Sequence, residues 1–305
     1  MTAAARALAA TIVRSGARRI AFLGLAKNVG KTTALVAVLE ELHRLGLAAG
    51  VTSAGRDGES FDAITGEPKP RFRVWPGQLV ASAASTYAAA SFATTAVAEL
   101  PFSTRFGAVE VRRAEGEGEI EMIGPSTASQ MAETATALES AGAATVLLDG
   151  AIGRRAFACA RVADAVVLSV GMAAAESLEA VLGVAGAAVE LIQLSQAGPT
   201  ARVRSVAGAL TEVWLGEKPP ESGDVLVAED FTAIFLAPPE RRKLREQGVT
   251  IAVRRRARLL ALTANPTAPG RPPLPPARMF EALRRKFPEV PIFDLGADLW
   301  SGPSA

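Results

Sequence analysis

The chain has 305 residues, nearly half of them hydrophobic, with a formal net charge of +2. That is length enough for one large or two modest domains with a substantial core, and a charge too small to argue for nucleic acid. A single cysteine, Cys159, and a single histidine, His43, exclude an internal disulfide, Cys–His or Ser–His–Asp catalysis and multi-histidine metal sites, and fit a reducing, cytoplasmic setting.

The stretch Thr2 to Arg19 is alanine-rich and basic. Ala7, Leu8, Thr11 and Ile12 fall at helical spacing, so an amphipathic lead-in helix is expected here rather than a targeting peptide. Ile20 to Leu25 is a short apolar run suited to a buried strand, and Thr32 to Leu45 carries Leu35, Val38, Leu39, Leu42 and Leu45 at helical spacing. Between them runs Gly24-Leu25-Ala26-Lys27-Asn28-Val29-Gly30-Lys31-Thr32-Thr33. Strand, glycine turn ending in Gly-Lys-Thr-Thr, then helix is the layout of a phosphate-binding loop. Backbone N–H groups at such a helix start face a phosphate, where the helix dipole favours negative charge. Lys31 is placed to reach the β- and γ-phosphates and the Thr32 hydroxyl to ligate Mg²⁺. The common pattern has a glycine five residues before Gly30. That position is Leu25, with Gly24 one place earlier, so the loop is a variant or one residue longer. The lysine of deviant nucleotide-switch loops would fall at Ala26, and Lys27 is not assigned that trans-acting role.

Ala48 to Ser53 reads as a second strand, leading into the polar loop Ala54-Gly55-Arg56-Asp57-Gly58-Glu59, with Asp62 close by. A loop after the second strand belongs at the carboxyl end of the sheet beside the phosphate loop, where Asp57 could contact Mg²⁺ or position water. Phe72 to Ala81 is expected as a strand and Ser85 to Glu99 as a helix. Val74 to Ala98 is uncharged but too polar and broken to span a membrane. Phe106 to Arg112 and Glu119 to Ile123 flank Glu115-Gly116-Glu117-Gly118, the pattern of a hairpin turn. Gly124-Pro125 stops the strand, and Ser126 or Thr127 caps a helix to about Ser140, with Ser126 and Gln130 as possible ligand contacts. Ala144 to Leu148 is a strand ending in Asp149-Gly150. An acid there is what Mg²⁺ coordination beside a phosphate loop requires. Arg56, Arg154 and Arg155 are candidate stabilisers of a transferring phosphoryl group. Ala165 to Val170 is another strand and Ala175 to Leu194 a long helix.

This alternation implies an α/β fold, a mostly parallel sheet with helices on both faces. Composition changes near Ser195, so residues 1–195 are read as the nucleotide-binding domain and 196–305 as a smaller C-terminal α/β region. In that region Val225 to Val227, Thr232 to Leu236, Leu259 to Thr263 and Ile292 to Leu295 read as strands. Glu240 to Gln247 and Met279 to Phe287 read as helices, and Pro266 to Pro276 as an extended loop. Thr263-Ala264-Asn265-Pro266 is a strand-to-turn junction of the kind that lines clefts.

The phosphate loop, Thr52 to Glu59, Gly124-Pro125-Ser126, Asp149-Gly150-Ala151 and Thr263-Ala264-Asn265-Pro266, in this order, resemble the P-loop subunit of the lysine 5,6-aminomutase reactivase, KamB. The likeness spans most of the chain. It implies a P-loop NTPase-type fold, ATP and Mg²⁺ as cofactors, and Lys31, Thr32, Asp57 and Asp149 serving the nucleotide. It also implies two partners, a MutS-like ATPase subunit and an adenosylcobalamin- and pyridoxal-phosphate-dependent lysine aminomutase, from which ATP binding or hydrolysis would release damaged cobalamin. The alternative on the same fold is a small-molecule ATP-dependent synthetase or kinase similar to dethiobiotin synthetase. Absence of an Asn-Lys-x-Asp motif favours adenine over guanine.

Overall fold

The computed structural model describes residues 2–57, 72–150, 156, 158–199 and 202–302. Helix α1 (Ala3–Arg14) buries Ala4, Ala5, Leu8, Ala9 and Ile12 along one stripe, and the Thr2 hydroxyl caps it by accepting from Ala5 N at 3.2 Å. It leads into β1 (Arg19–Gly24), α2 (Lys31–Arg44), β2 (Ala49–Ser53) and the short β3 (Arg56–Asp57). Then come β4 (Phe72–Val74), β5 (Leu79–Ala83), α3 (Ala84–Ala88), β6 (Thr94–Thr104), β7 (Gly107–Ala114), β8 (Gly118–Ile120), β9 (Met122–Ile123) and α4 (Ala128–Ser140). β10 (Thr145–Asp149), β11 (Ala165–Gly171) and α5 (Leu178–Ile192) complete the first half. The second half holds β12 (Val203–Ser205), α6 (Glu212–Glu217), β13 (Val225–Ala228), α7 (Pro238–Glu246), β14 (Thr250–Val253), β15 (Arg258–Asn265), α8 (Pro276–Lys286), β16 (Ile292–Asp294) and β17 (Leu299–Ser301).

Ten strands form one sheet in the order β17-β16-β15-β11-β1-β10-β2-β5-β7-β6. From β16 to β5 every neighbouring pair is parallel, and β17, β7 and β6 join antiparallel at the two margins. The parallel strands are continuous apolar runs because both of their faces are covered. Alternation along β1 shows this directly. Ala21 and Leu23 enter a core with α4, α5 and α8, while Ile20 and Phe22 enter the opposite core with α1 and α2.

Three expectations are corrected. Ser85 to Glu99 is not one helix: α3 stops at Ala88 and β6 begins at Thr94. Ser91 N donates to Glu119 O, and Glu119 N to the Ser91 hydroxyl, so this segment is drawn out across β8 instead of coiling on. The hairpin is not at Glu115–Gly118. β7 turns back on β6 through Arg105-Phe106, while β8 pairs with β4. Thr232 to Leu236 is not a strand. Asp230 accepts from both Thr232 N and the Thr232 hydroxyl and winds Phe231–Ala233 into a 3-10 turn.

Residues 196–305 divide between two sheets. β12, β13 and β14 form a separate parallel sheet, whereas β15, β16 and β17 extend the large one. Leu226 and Ala228 of the small sheet, and Phe231 in the turn after β13, share one contiguous apolar cluster with Val166 and Leu262 of the large one. No helix among the described residues is long and apolar enough to cross a membrane.

Candidate functional site

The carboxyl ends of β1, β10, β11 and β15 converge on the loop that joins β1 to α2. Leu25 N still donates to Ser169 O of β11 at 3.1 Å, and its side chain is buried in the core. The strand pairing thus runs one residue past Gly24, and Leu25 stands where the common loop pattern has glycine because the turn has not yet begun. Asn28 (φ 60) and Gly30 (φ 85) are left-handed on either side of Val29. A backbone that alternates hand in this way gathers its N–H groups into an anion-binding concavity.

Val29 is a buried apolar residue of the loop, and two glycines make room for it. A Cβ on Gly24 would lie 2.9 Å from Val29 Cγ2, and one on Gly171 would lie 2.9 Å from Val29 Cα. Gly24 and Val29, both predicted as ligand contacts, are packed closely against each other. Lys27 and Asn28 lie exposed on the loop, and Thr33 is exposed in the first turn of α2. Asn265, at the end of β15, donates from Nδ2 to Asn28 O at 2.9 Å, while its Oδ1 accepts from Thr267 N and the Thr267 hydroxyl. It ties the loop to the next turn with its own amide. Beneath it the Thr263 hydroxyl donates to the Ser169 hydroxyl at 2.8 Å, cross-linking β15 to β11.

Helix α2 starts at Gly30 with no side-chain cap and no acid in its first turn, which favours an incoming anion. Phe22 of β1 is in register with Asp149 of β10, and this sets the carboxylate under the loop. Lys31 Nζ forms an ion pair with Asp149 Oδ1; the lysine side chain is 15% exposed and the aspartate's is wholly buried. The Thr32 hydroxyl lies 3.4 Å from Asp149 Oδ2. Lys31, Thr32 and Asp149, predicted together, are brought together. Thr32 Oγ1 and the Asp149 carboxylate are hard oxygen donors side by side at a helix start, a set that suits Mg²⁺. Among the described residues no group of three His, Cys, Asp or Glu side chains forms a metal cluster.

Asp57 belongs to β3, whose backbone pairs with β9. The side chains of Arg56 and Asp57, and residues Glu59, Asp62, Arg154 and Arg155 as a whole, lie outside what the structure describes. The turn before β3 is locked against Gly124-Pro125: Gly124 N donates to Gly55 O, and Gly55 N to Pro125 O. A Cβ on Gly124 would lie 1.8 Å from Ser53 O, so only glycine fits. Ser126 and Gln130 serve the helix: the Thr127 hydroxyl accepts from Gln130 N, and Gln130 Oε1 from Ser126 N. Cys159 is half-buried, and burial pushes its thiol pKa up. His43 stacks on Trp75 in another part of the molecule.

One feature was not foreseen, and a second was foreseen only through Thr263-Ala264-Asn265-Pro266, read as lining a cleft. Ser53 is in register with Asp149, and its buried hydroxyl has no partner among the described residues. A cavity of about 640 Å³ opens beside the loop between Gly30, Thr33 and Ala34 on one side and the turns after β15 and β16 on the other. The Ser53 hydroxyl has no local motif, and the far wall of the cavity depends on which strands become neighbours.

Comparison with protein-family models, with curated proteins and with solved structures returned no match. Fold and site together define an α/β protein with a large, mostly parallel mixed sheet. Its central loop sets a lysine–aspartate pair under an uncapped helix start.

Proposed function

We propose that the chain is a Mg²⁺–ATP-binding protein of the P-loop NTPase type. The observation that carries this reading is the Lys31–Asp149 pair, formed between the uncapped start of α2 and the end of β10, the strand beside β1. In this reading the N–H groups of the loop and of the first turn of α2 hold the phosphates. Lys31 exchanges Asp149 for the β- and γ-phosphate oxygens. Thr32 and Asp149 would hold Mg²⁺, with Asp57 a further candidate. The ion neutralises charge on the phosphates when bound. Val29, Gly171 and Asn265 keep the loop in shape. The resemblance to the reactivase subunit extends the proposal to a role: ATP-dependent release of damaged cobalamin from an adenosylcobalamin-dependent lysine aminomutase, in company with a MutS-like ATPase.

Thermal unfolding of wild type and Lys31→Ala, with and without saturating Mg-ATP, tests the nucleotide site. Ligand at a hundred times its dissociation constant stabilises the folded state by about 2.7 kcal/mol. A shift of several degrees in wild type alone is expected, and no shift in wild type refutes an autonomous site. The client is tested by co-purification with the aminomutase in Mg-ATP, and failure to associate refutes the reactivase role.

A further inference from the structure

The end of the large sheet that faces away from the β1–α2 loop gathers arginines from distant parts of the chain. The amino ends of β1, β11 and β15 lie side by side there, with Ile20 in register with Ala165 and Ala165 with Arg258. Arg14 and Arg18 stand where α1 gives way to β1. Arg254, Arg255, Arg256 and Arg258 stand where β14 gives way to β15, and all six are exposed. The two connections touch, because Arg258 Nη1 donates to Ser15 O at 3.0 Å.

The acids that meet these arginines are already engaged. Asp164 Oδ2 accepts from Arg18 N and Arg19 N, each at 2.9 Å. Glu139 pairs with Arg19 at 2.6 Å and with Arg18 at 3.6 Å. Glu229 is shared between Arg254 at 3.4 Å and Arg255 at 3.1 Å. One carboxylate cannot occupy the donors of two guanidinium groups, so both forks keep N–H groups for another acceptor. The dipole of α1 accounts for Arg14, which lies in its last turn. It does not account for Arg254, Arg255 and Arg256. They follow a strand and repel one another, and an anionic partner relieves that repulsion.

The same end exposes apolar surface. Val13, beside Arg14, is 43% exposed, and Leu45, at the end of α2, is 49% exposed. Leu45 reaches this end because β2, parallel to β10, starts just beyond it at Ala49. Both residues are aliphatic and offer no ring on which a nucleic-acid base could stack. Arginines held in place around aliphatic side chains suit carboxylates, which the planar fork grips in pairs.

We propose that this face docks a partner protein through an acidic segment that also carries apolar side chains, with carboxylates on Arg254, Arg255 and Arg256 and apolar groups on Val13 and Leu45. The inference does not depend on the nucleotide reading, since the face lies at the opposite end of the strands.

Fluorescence anisotropy of a labelled peptide alternating glutamate and leucine, titrated with the full chain, tests this. A matched peptide of lysine and leucine, oligothymidylate, and vesicles of phosphatidylserine and phosphatidylcholine in equal parts are the comparison probes. Wild type is expected to bind the glutamate peptide in preference to all three. Arg14→Glu with Arg256→Glu is expected to weaken that binding on the order of tenfold or more. Arg105→Glu, an equal change per residue at the β6–β7 turn on the far margin of the sheet, is expected to leave it nearly unchanged. Val13→Ser with Leu45→Ser is expected to weaken it several-fold. Failure of wild type to bind the glutamate peptide, or equal binding of the lysine peptide, overturns the inference without recourse to any variant. Tighter binding of oligothymidylate or of the vesicles overturns the assignment to a protein partner. Equal loss in Arg105→Glu and in the Arg14/Arg256 variant shows a general charge effect and overturns the face, and full binding by the serine variant overturns its apolar part.

Discussion

Asp149 is a fully buried carboxylate paired with Lys31, itself largely covered. Removing one member of such a pair leaves the other charge buried without its counter-ion, which costs more than the pair contributes. Asp149→Ala is expected to lower stability in urea by about 2–3 kcal/mol at neutral pH, and Lys31→Met by a similar amount. The double variant should lose less than the sum, with a coupling of about 1–3 kcal/mol. Additive losses would mean that the pair contributes nothing. Lys31, Thr32 and Asp149 were legible as a set because two local patterns, Gly-Lys-Thr and a strand ending in acid, each carry their own chemistry. Asn265 was legible as lining a cleft, though not as the residue that ties the loop.

The loop connecting β1 to α2 depends on the space that two glycines leave for Val29, and the two contacts differ in kind. At Gly24 an added Cβ meets a side-chain methyl, Val29 Cγ2. At Gly171 it meets Val29 Cα, a backbone atom. Neither glycine has a left-handed backbone, so the cost is steric. Each alanine variant is expected to lose about 1–3 kcal/mol through overpacking and to shrink the Mg-ATP-induced rise in Tm. Adding Val29→Ala should partly restore Gly24→Ala and leave Gly171→Ala unrelieved. Equal rescue of both in thermal unfolding would contradict this account of the loop. The same scale shows why the parallel strands were readable and the β6–β7 hairpin was not. Strands β1, β10 and β11 are short apolar runs between turn residues. Thr94 to Thr104 is instead a sheet margin, rich in alanine, serine and threonine and largely exposed. Without a dry face it has no strong period in its sequence, and its pairing with β7 decides its form.

Across the molecule, the first helix and the last strands are joined. Asp298 Oδ1, in the turn between β16 and β17, accepts from Ala4 N at the start of α1 at 2.7 Å. That contact, with a second from Ala3 N, holds the Asp298 carboxyl below the usual carboxylate range. A carboxyl depressed by folding stabilises the protein above its unfolded pKa. The contribution falls away as the pH drops through the folded value. Asp298→Asn is therefore expected to lower Tm at neutral pH, with the gap to wild type closing in strong acid. A gap unchanged with pH would show that the contact does not depend on charge. The same view shows how far composition could reach. It separated a later region at residue 196, but not the return of β15, β16 and β17 to the first sheet, because strand order is a long-range property.

A net charge of +2 gives the chain little far-field pull on an anion, so selection falls to the centre, where Lys31 neutralises Asp149. In the proposed reading, an anion that draws Lys31 toward itself weakens the neutralisation of a buried carboxylate, and a cation arriving in the same event restores it. On that reading the site would count charges: phosphate accompanied by a divalent ion completes an exchange of partners, whereas bare phosphate leaves the Asp149 charge less well compensated.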